Sequence, residues 1–433
     1  MVNNKSQNPA VNLNLNVRGL SPSSTLAINE KSNQLLKQGR IIYKLGLGQS
    51  PFPVPERVVE SLKQHAHEKD YLPVKGLPDL REAIAGFIKR TQGINRTAND
   101  VIIGPGSKYL IFLLQLVYYG DLVIPTPSWV SYSPQARIIG RHVYWVPTTS
   151  ENNWRLSPEK LDMICRTDPY RPRLVIINYP SNPVGSTYPI ERLKLLAKIA
   201  RKYQVILISD EIYGMIHHNG QHISIARYYP EGTIISTGLS KWCGAGGWRL
   251  GTFIFPSNLR WLLDAMAIVA SETYTSTSAP IQYAAITAFN GGEDIDEYLY
   301  QSRRVLKIIA KTFVKQLHKH HVSVPMPDGA FYFFSDFEFY REKLKSRGIY
   351  TSNELCQVLL DDTGVAILPG TDFGRQPEEL TARMAYVDFD GKEALEAAGK
   401  MDNNKPLDPN FVKTYCPRLV EAFDKLCGWL QNL

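Results

Sequence analysis

The chain has 433 residues, 44% hydrophobic and 21% charged, an ordinary globular balance with room for two folded units or one large one with an appendage. Its 49 lysines and arginines against 41 acidic residues give a net charge of +8, spread too evenly for a nucleic-acid patch but suited to acidic or phosphorylated small molecules. Five scattered cysteines without Cys-x-x-Cys spacing, no signal-peptide pattern and no apolar run long enough for a bilayer point to a cytoplasmic protein with reduced thiols and no membrane partner.

Residues 1–20, poor in large apolar side chains, read as a disordered arm. Pro78 and Asp79 open an amphipathic helix that runs to residue 90. Residues 101–103 form a short strand, 109–118 an apolar helix, and 121–124 and 142–146 two more strands. An apolar strand at 174–178, a helix at 191–203 and a second apolar strand at 205–209 follow, then strands at 232–236 and 250–255. Apolar strands alternating with helices predict a largely parallel sheet covered on both faces. Beyond residue 300 the character changes. A long helix at 301–318 leads to strands at 322–324 and 329–334, a helix at 353–360, strands at 365–368 and 382–386, and a last helix at 417–430: a smaller α+β unit. The long helix carries a dense basic run from Arg303 to His321, whose interleaved apolar residues recur at helical spacing. It reads as a solvated helix face. Residues 388–410 are polar and loop-like.

In an open α/β sheet, ligands bind beyond the carboxyl ends of the strands. After residues 101–103 comes Gly104-Pro-Gly106-Ser107-Lys108, either a plain glycine turn or a helix start whose free amides hold a phosphate. Trp129, in the proline-bound loop after 121–124, either stacks on a flat ring or fills core. Tyr179-Pro-Ser-Asn182-Pro183-Val184-Gly185 follows the next strand as a turn that leaves the Asn182 amide free to meet a ligand. Asp210-Glu211-Ile212-Tyr213 ends another, and a carboxylate there is costly unless a cation meets it. In Ser236-Thr-Gly-Leu-Ser-Lys241-Trp-Cys-Gly-Ala-Gly-Gly-Trp-Arg249 a lysine sits among small residues eight positions before an arginine. Such a lysine can form a Schiff base, and the planar arginine fork can grip a phosphate.

In this order, Asn182, Asp210, Tyr213, Lys241 and Arg249 resemble the strand-end residues of the class I/II pyridoxal-phosphate-dependent aminotransferases (fold type I, the aspartate aminotransferase superfamily). The resemblance runs from about residue 44 to 389. It takes in Leu45-Gly-Leu-Gly48-Gln-Ser-Pro-Phe52, the block from Tyr71 through Gly76 to Leu80-Arg81, residues 364–370, and Arg383. It implies an α/β fold: a large cofactor domain (56–310) with a mostly parallel seven-stranded sheet sandwiched by helices, and a smaller α+β domain built from an N-terminal segment (21–55) and residues 311–433. The implied cofactor is pyridoxal 5′-phosphate, and no metal is implied. Lys241 would carry the Schiff base and move a proton, and Asp210 would pair with the pyridine nitrogen. Asn182 and Tyr213 would bond the ring's phenolic oxygen, and Trp129 would stack on the ring. Ser107, the neighbouring amides and Arg249 would hold the phosphate, with Lys108 beside them. Tyr71 would reach the phosphate of a neighbouring subunit, in a homodimer with shared active sites. Arg383 would take the substrate α-carboxylate, and Gly48 and Asn182 would line the same pocket.

Gly106-Ser107-Lys108 with Pro127-Ser-Trp129-Val-Ser-Tyr132 is similar to the bacterial aspartate and prephenate aminotransferase branch, which makes Lys108 the candidate for a distal carboxylate. The implied reaction transfers an amino group between an L-amino acid, with an acidic donor such as aspartate or glutamate favoured, and a 2-oxo acid such as 2-oxoglutarate. A lyase or synthase on the same scaffold, and aromatic or neutral donors, stay open. Two features depart from the family's pattern. Gly238 stands where a phosphate-binding hydroxyl is often found, leaving Ser236, Thr237 or Ser240 to supply one. The stretch 388–410 is also longer than the pattern requires.

Overall fold

Twelve strands organise the chain in this computed structural model, which describes residues 12–433. For residues 1–11 the expected arm lies outside the described residues. Residues 14–20 are not an arm. They make a turn (Val17 N–H to the Asn14 carbonyl, 3.0 Å) that Arg137 holds by donating to the Arg18 carbonyl at 2.7 Å.

The strands are β1 Tyr43–Lys44, β2 Val101–Gly104, β3 Asp121–Thr126, β4 Val143–Pro147, β5 Arg173–Asn178, β6 Ile206–Asp210, β7 Thr233–Gly238, β8 Gly251–Ile254, β9 Tyr332–Asp336, β10 Val365–Ala366, β11 Leu368–Pro369 and β12 Thr381–Ala385. Seven form one sheet in the order β2-β8-β7-β6-β5-β3-β4. Its central strands are apolar at successive positions because both faces are covered. Leu174 and Ile176 of β5 join one buried cluster with Ile124, Ile208 and Ile234, while Val175 and Ile177 join another with Val123 and Leu207.

Only β8 runs antiparallel to its neighbours. The carboxyl ends of β2, β3, β5, β6 and β7 therefore meet at one edge, and β8 begins there. Register carries the alignment across: Asn178 faces Asp210, Asp210 faces Ser236, and Gly251 faces both Gly238 and Gly104. At this junction three backbones touch. A Cβ on Gly251 would lie 2.0 Å from the Ser107 nitrogen, and one on Gly238 would lie 2.7 Å from the Leu250 carbonyl oxygen. Gly238 thus has a packing reason, since no hydroxyl-bearing side chain fits there.

The smaller part is the antiparallel sheet β11-β12-β9 together with the parallel pair β1-β10. The helix Ser24–Lys37 packs Ile28 and Leu35 against Ile42, Leu360 and Ala366, tying the N-terminal segment to the C-terminal part. Three sequence expectations change. The run 365–368 is two strands, because Val365–Ala366 pairs with β1 and Leu368–Pro369 with β12. Residues 322–324 make only an isolated bridge, Ser323 to Asp336. The polar stretch holds a helix, Gly391–Gly399, whose Asp390 accepts from the Lys392 and Glu393 amides at 3.0 Å each.

Gly251→Ala should cost about 1–3 kcal/mol through overpacking against a backbone that cannot yield. Gly247→Ala, with nothing within 4 Å of the new Cβ, should leave the thermal midpoint in place. Equal midpoints for the two variants would contradict the close approach.

Candidate active site

Beyond the shared sheet edge lies a cavity of about 660 Å³. Ser107, Lys108, Trp129, Asn182, Asp210, Tyr213, Ser240, Lys241, Arg249, Gly48 and Arg383 all line it. Tyr71 does not: it is 90% exposed on its own chain. Tyr132, Asn178 and Tyr332, and the first-helix residues Thr25 and Asn29, also line the cavity and were not singled out from sequence. Tyr132 lay within the quoted motif after β3. Tyr332 sat in a predicted strand with nothing to mark it as a site residue.

Asp210, last residue of β6, is buried. Tyr132 donates its hydroxyl to Oδ2 at 2.5 Å and Ser236 donates to Oδ1 at 3.2 Å. Burial lifts the carboxyl pKa to about 6, against the lowering effect of those two donors. Both donors are neutral, so the carboxylate has no cation in contact. Asn178 secures the strand end by donating to the Asp210 carbonyl at 2.8 Å, and its Oδ1 accepts the Asn182 amide at 2.7 Å.

Lys241 follows β7 and donates to the Gly48 carbonyl at 2.7 Å. Burial lowers its pKa to about 8, helped by the Arg383, Arg249 and Lys108 charges and opposed by Asp210. Its ammonium also lies 5.7 Å from the Tyr213 ring centre. The Tyr213 and Tyr332 hydroxyls share a hydrogen bond of 2.8 Å, and burial pushes the Tyr213 phenol well above its ordinary range. Gly48 is glycine because a Cβ there would meet the Tyr332 hydroxyl at 2.0 Å.

At the other wall, Gly106 (φ +87) turns the chain into the helix Ser107–Val117, exposing its first amides. A Cβ on Gly106 would lie 2.3 Å from Arg249 Nη2. Arg249 itself is held left-handed (φ +58) and donates to the Gly246 carbonyl at 2.9 Å. Amides, a helix N-terminus and a guanidinium together make an anion cradle. Lys108 Nζ sits 5.3 Å from the Trp129 ring centre, and its pKa is lowered by burial and by Arg249.

Arg383, on β12, is buried. It donates to Asn182 Oδ1 at 3.2 Å and to the Gly46 carbonyl, while its Nε has no partner among the described residues. The cavity thus holds four cations, Lys108, Lys241, Arg249 and Arg383, against the single carboxylate Asp210.

The profile of the family "Aminotransferase class I and II" matches residues 40–394, which carry every cavity residue except those of the first helix. The chain belongs to the class I and II aminotransferases. The aspartate aminotransferase of Geobacillus stearothermophilus is 34% identical over 392 residues, 88% of this chain and 95% of the relative. The aspartate/prephenate aminotransferase of Thermus thermophilus is 31% identical over 83% of this chain and 91% of its own length. The solved aspartate aminotransferase from Thermus thermophilus with maleate matches with a TM-score of 0.79 at 29% identity, over 90% of this chain and 98% of that one.

Members of this aminotransferase family depend on pyridoxal phosphate, and this transaminase shares the cofactor. Its residues fit that group. The carboxylate of Asp210 lacks a cation, which a protonated ring nitrogen would supply. The glycine cradle at Gly106 and Arg249 suits a phosphate. Bound there, the cofactor acts as an electron sink that lets an amino acid lose its α proton.

With Lys241 as the residue that receives the cofactor, uptake by the cofactor-free aminotransferase would need its neutral amine. The uptake rate should therefore rise with pH through about 8, well below the ordinary lysine value of 10.5. Arg383→Met removes a positive neighbour and should move that midpoint upward. A wild-type midpoint near 10.5 would contradict the assigned surroundings.

Proposed function

We propose that this transaminase moves the α-amino group of an acidic L-amino acid, aspartate or glutamate, to a 2-oxo acid such as 2-oxoglutarate. The observation that carries the reading is Arg383, a buried guanidinium bonded only to uncharged oxygens and with a free Nε, which is a receptor for a carboxylate. Lys108, at the start of a different element, offers a second cation for a second carboxylate. The Thermus structure matched here was solved with maleate, itself a dicarboxylate.

The roles follow from position. Arg383 and Asn182 would hold the α-carboxylate and orient the Cα–H bond toward Lys241. With its pKa near 8, the Lys241 amine can take and return a proton at the substrate α carbon in neutral solution. Asp210 would keep a proton on the pyridine nitrogen. Tyr213 and Asn182 would bond the ring oxygen, Trp129 would cover the ring face, and Ser107, Ser240 and Arg249 would bind the phosphate. Tyr71, 90% exposed and outside the lining of its own cavity, would complete the phosphate site of a second copy, which would make the working unit a homodimer.

Lys241→Ala should abolish transamination and the visible absorbance of bound cofactor while leaving the fold intact by circular dichroism. An active variant would end the assignment. Lys108→Ala should raise KM for aspartate and glutamate about 10–100-fold, the scale of a lost charged hydrogen bond, and leave phenylalanine kinetics unchanged. If wild-type kcat/KM were higher for phenylalanine or leucine than for aspartate, the acidic-donor reading would fail. Tyr71→Phe should weaken cofactor retention in a protein that still sediments as a dimer. A fully active monomer would contradict the shared site.

A further inference from the structure

The helix Glu293–Lys319 has an uneven charge pattern. Its acids, Glu293, Asp294, Asp296 and Glu297, lie at its start, and none follows from residue 298 to 319. Arg303, Lys307 and Lys311 then recur every four residues, stacked on one face about 6 Å apart. Like charges at that spacing repel, and the helix dipole favours cations only in the last turn, which Arg303 precedes by several turns. The sequence reading of this run as a solvated face does not account for what the fold does with it.

That face is one wall of a second cavity, of about 540 Å³. The loop 218–221 and the segment 403–407 form the others. Arg303, Arg304, Lys307, Lys311 and Lys405 line it, and no aspartate or glutamate among the described residues does. Arg304 builds the wall: it donates to the Asp402 and Lys405 carbonyls at 3.0 and 2.9 Å and to Asn403 Oδ1 at 2.9 Å. The segment it clamps belongs to the long stretch 388–410, for which the family pattern offered no role. Arg303 is left with capacity. Its Nε donates to the Met215 carbonyl at 2.8 Å, and its two terminal nitrogens have no acceptor among the described residues. Gly220, at φ +69, brings the loop so near that a Cβ would sit 2.9 Å from Arg303 Nη1. Lys307 donates to Asn219 Oδ1 at 2.6 Å. The nearby acids are few: Asp402 lies 3.8 Å from Lys405, and Asp296 acts on Arg303 only through its charge.

We propose that this cavity is a second ligand site, distinct from the cofactor site, for a small polyanion bearing phosphate groups. Its volume falls in the range of small-molecule sites, and a free guanidinium fork beside lysine point charges is phosphate-binding chemistry. Nucleic acid fits less well, because four of the five cations gather on little more than two turns of one helix instead of along an extended stripe. The proposal does not rest on the identity of the amino donor.

The test is calorimetric titration of the cofactor-loaded, full-length enzyme with inorganic pyrophosphate. A filled cofactor site removes the competing phosphate cradle. The expected result is one saturable event per chain that weakens as salt is raised. Arg303→Gln combined with Lys307→Gln should weaken it at least tenfold, with cofactor content and transaminase kcat unchanged. Lys311→Gln combined with Lys405→Gln, whose side chains bond no backbone carbonyl, should weaken it as well and guards against a folding defect at Arg303. Absence of saturable binding, or undiminished binding in both double variants, overturns the site.

Discussion

The site depends on charges buried without their counterparts. Asp210 carries a carboxylate into the sheet edge with only neutral donors, the Tyr132 and Ser236 hydroxyls and the Ile212 amide, and Arg383 carries a guanidinium into the opposite wall with only uncharged oxygens. Unpaired buried charge is expensive, so the fold bears a standing cost that, on the proposed roles, an incoming cationic ring nitrogen and an incoming carboxylate would relieve. The same burial brings Lys241 to about 8, where one amine can hold or release a proton near neutrality. Binding and proton transfer thus share one physical origin, the exclusion of water from a cavity rich in cations.

The architecture makes this possible by bringing strand ends together. Parallel strands buried on both faces end at one edge, and their register sets Asn178, Asp210 and Ser236 side by side. The one strand antiparallel within this sheet, β8, begins at that edge, so that Arg249 just before it lies beside Gly106, and glycine at 238 and 251 lets three backbones touch. The hydroxyl missing at Gly238 is therefore a consequence of backbone packing at the phosphate end of the site. The second cavity follows a similar logic on a different element, where cations are gathered without acids to neutralise them.

Much of this was legible in the residues. Strand runs such as 174–177 and 205–208 are apolar at every position, a pattern that only a doubly covered strand needs. The polar residues after them stood out because they break those runs. Tyr132 and Tyr332 were not legible as site residues, since aromatic side chains look the same in a core and in a pocket wall. Helix Gly391–Gly399 was hidden by glycine at both ends. Gly391 is required because a Cβ would lie 2.1 Å from the Pro51 carbonyl oxygen, a contact across 340 residues that no local pattern carries. The basic face at Arg303 was visible, but its concavity depends on Arg304 reaching across to residues 402–405.

The central claim is that Asp210 is held charged at a cost until the cofactor arrives. With its pKa at about 6 in the fold against 3.8 unfolded, its stability contribution is full below the unfolded value and lost as pH rises through about 6. The loss approaches about 3 kcal/mol at pH 8, at 1.36 kcal/mol per unit. The direct measurement is the unfolding midpoint of wild type and Asp210→Asn at pH 8, each with and without pyridoxal phosphate. The account predicts that the cofactor-free variant is at least as stable as cofactor-free wild type and gains much less from the cofactor. A less stable cofactor-free variant that gains as much from the cofactor as wild type would contradict it.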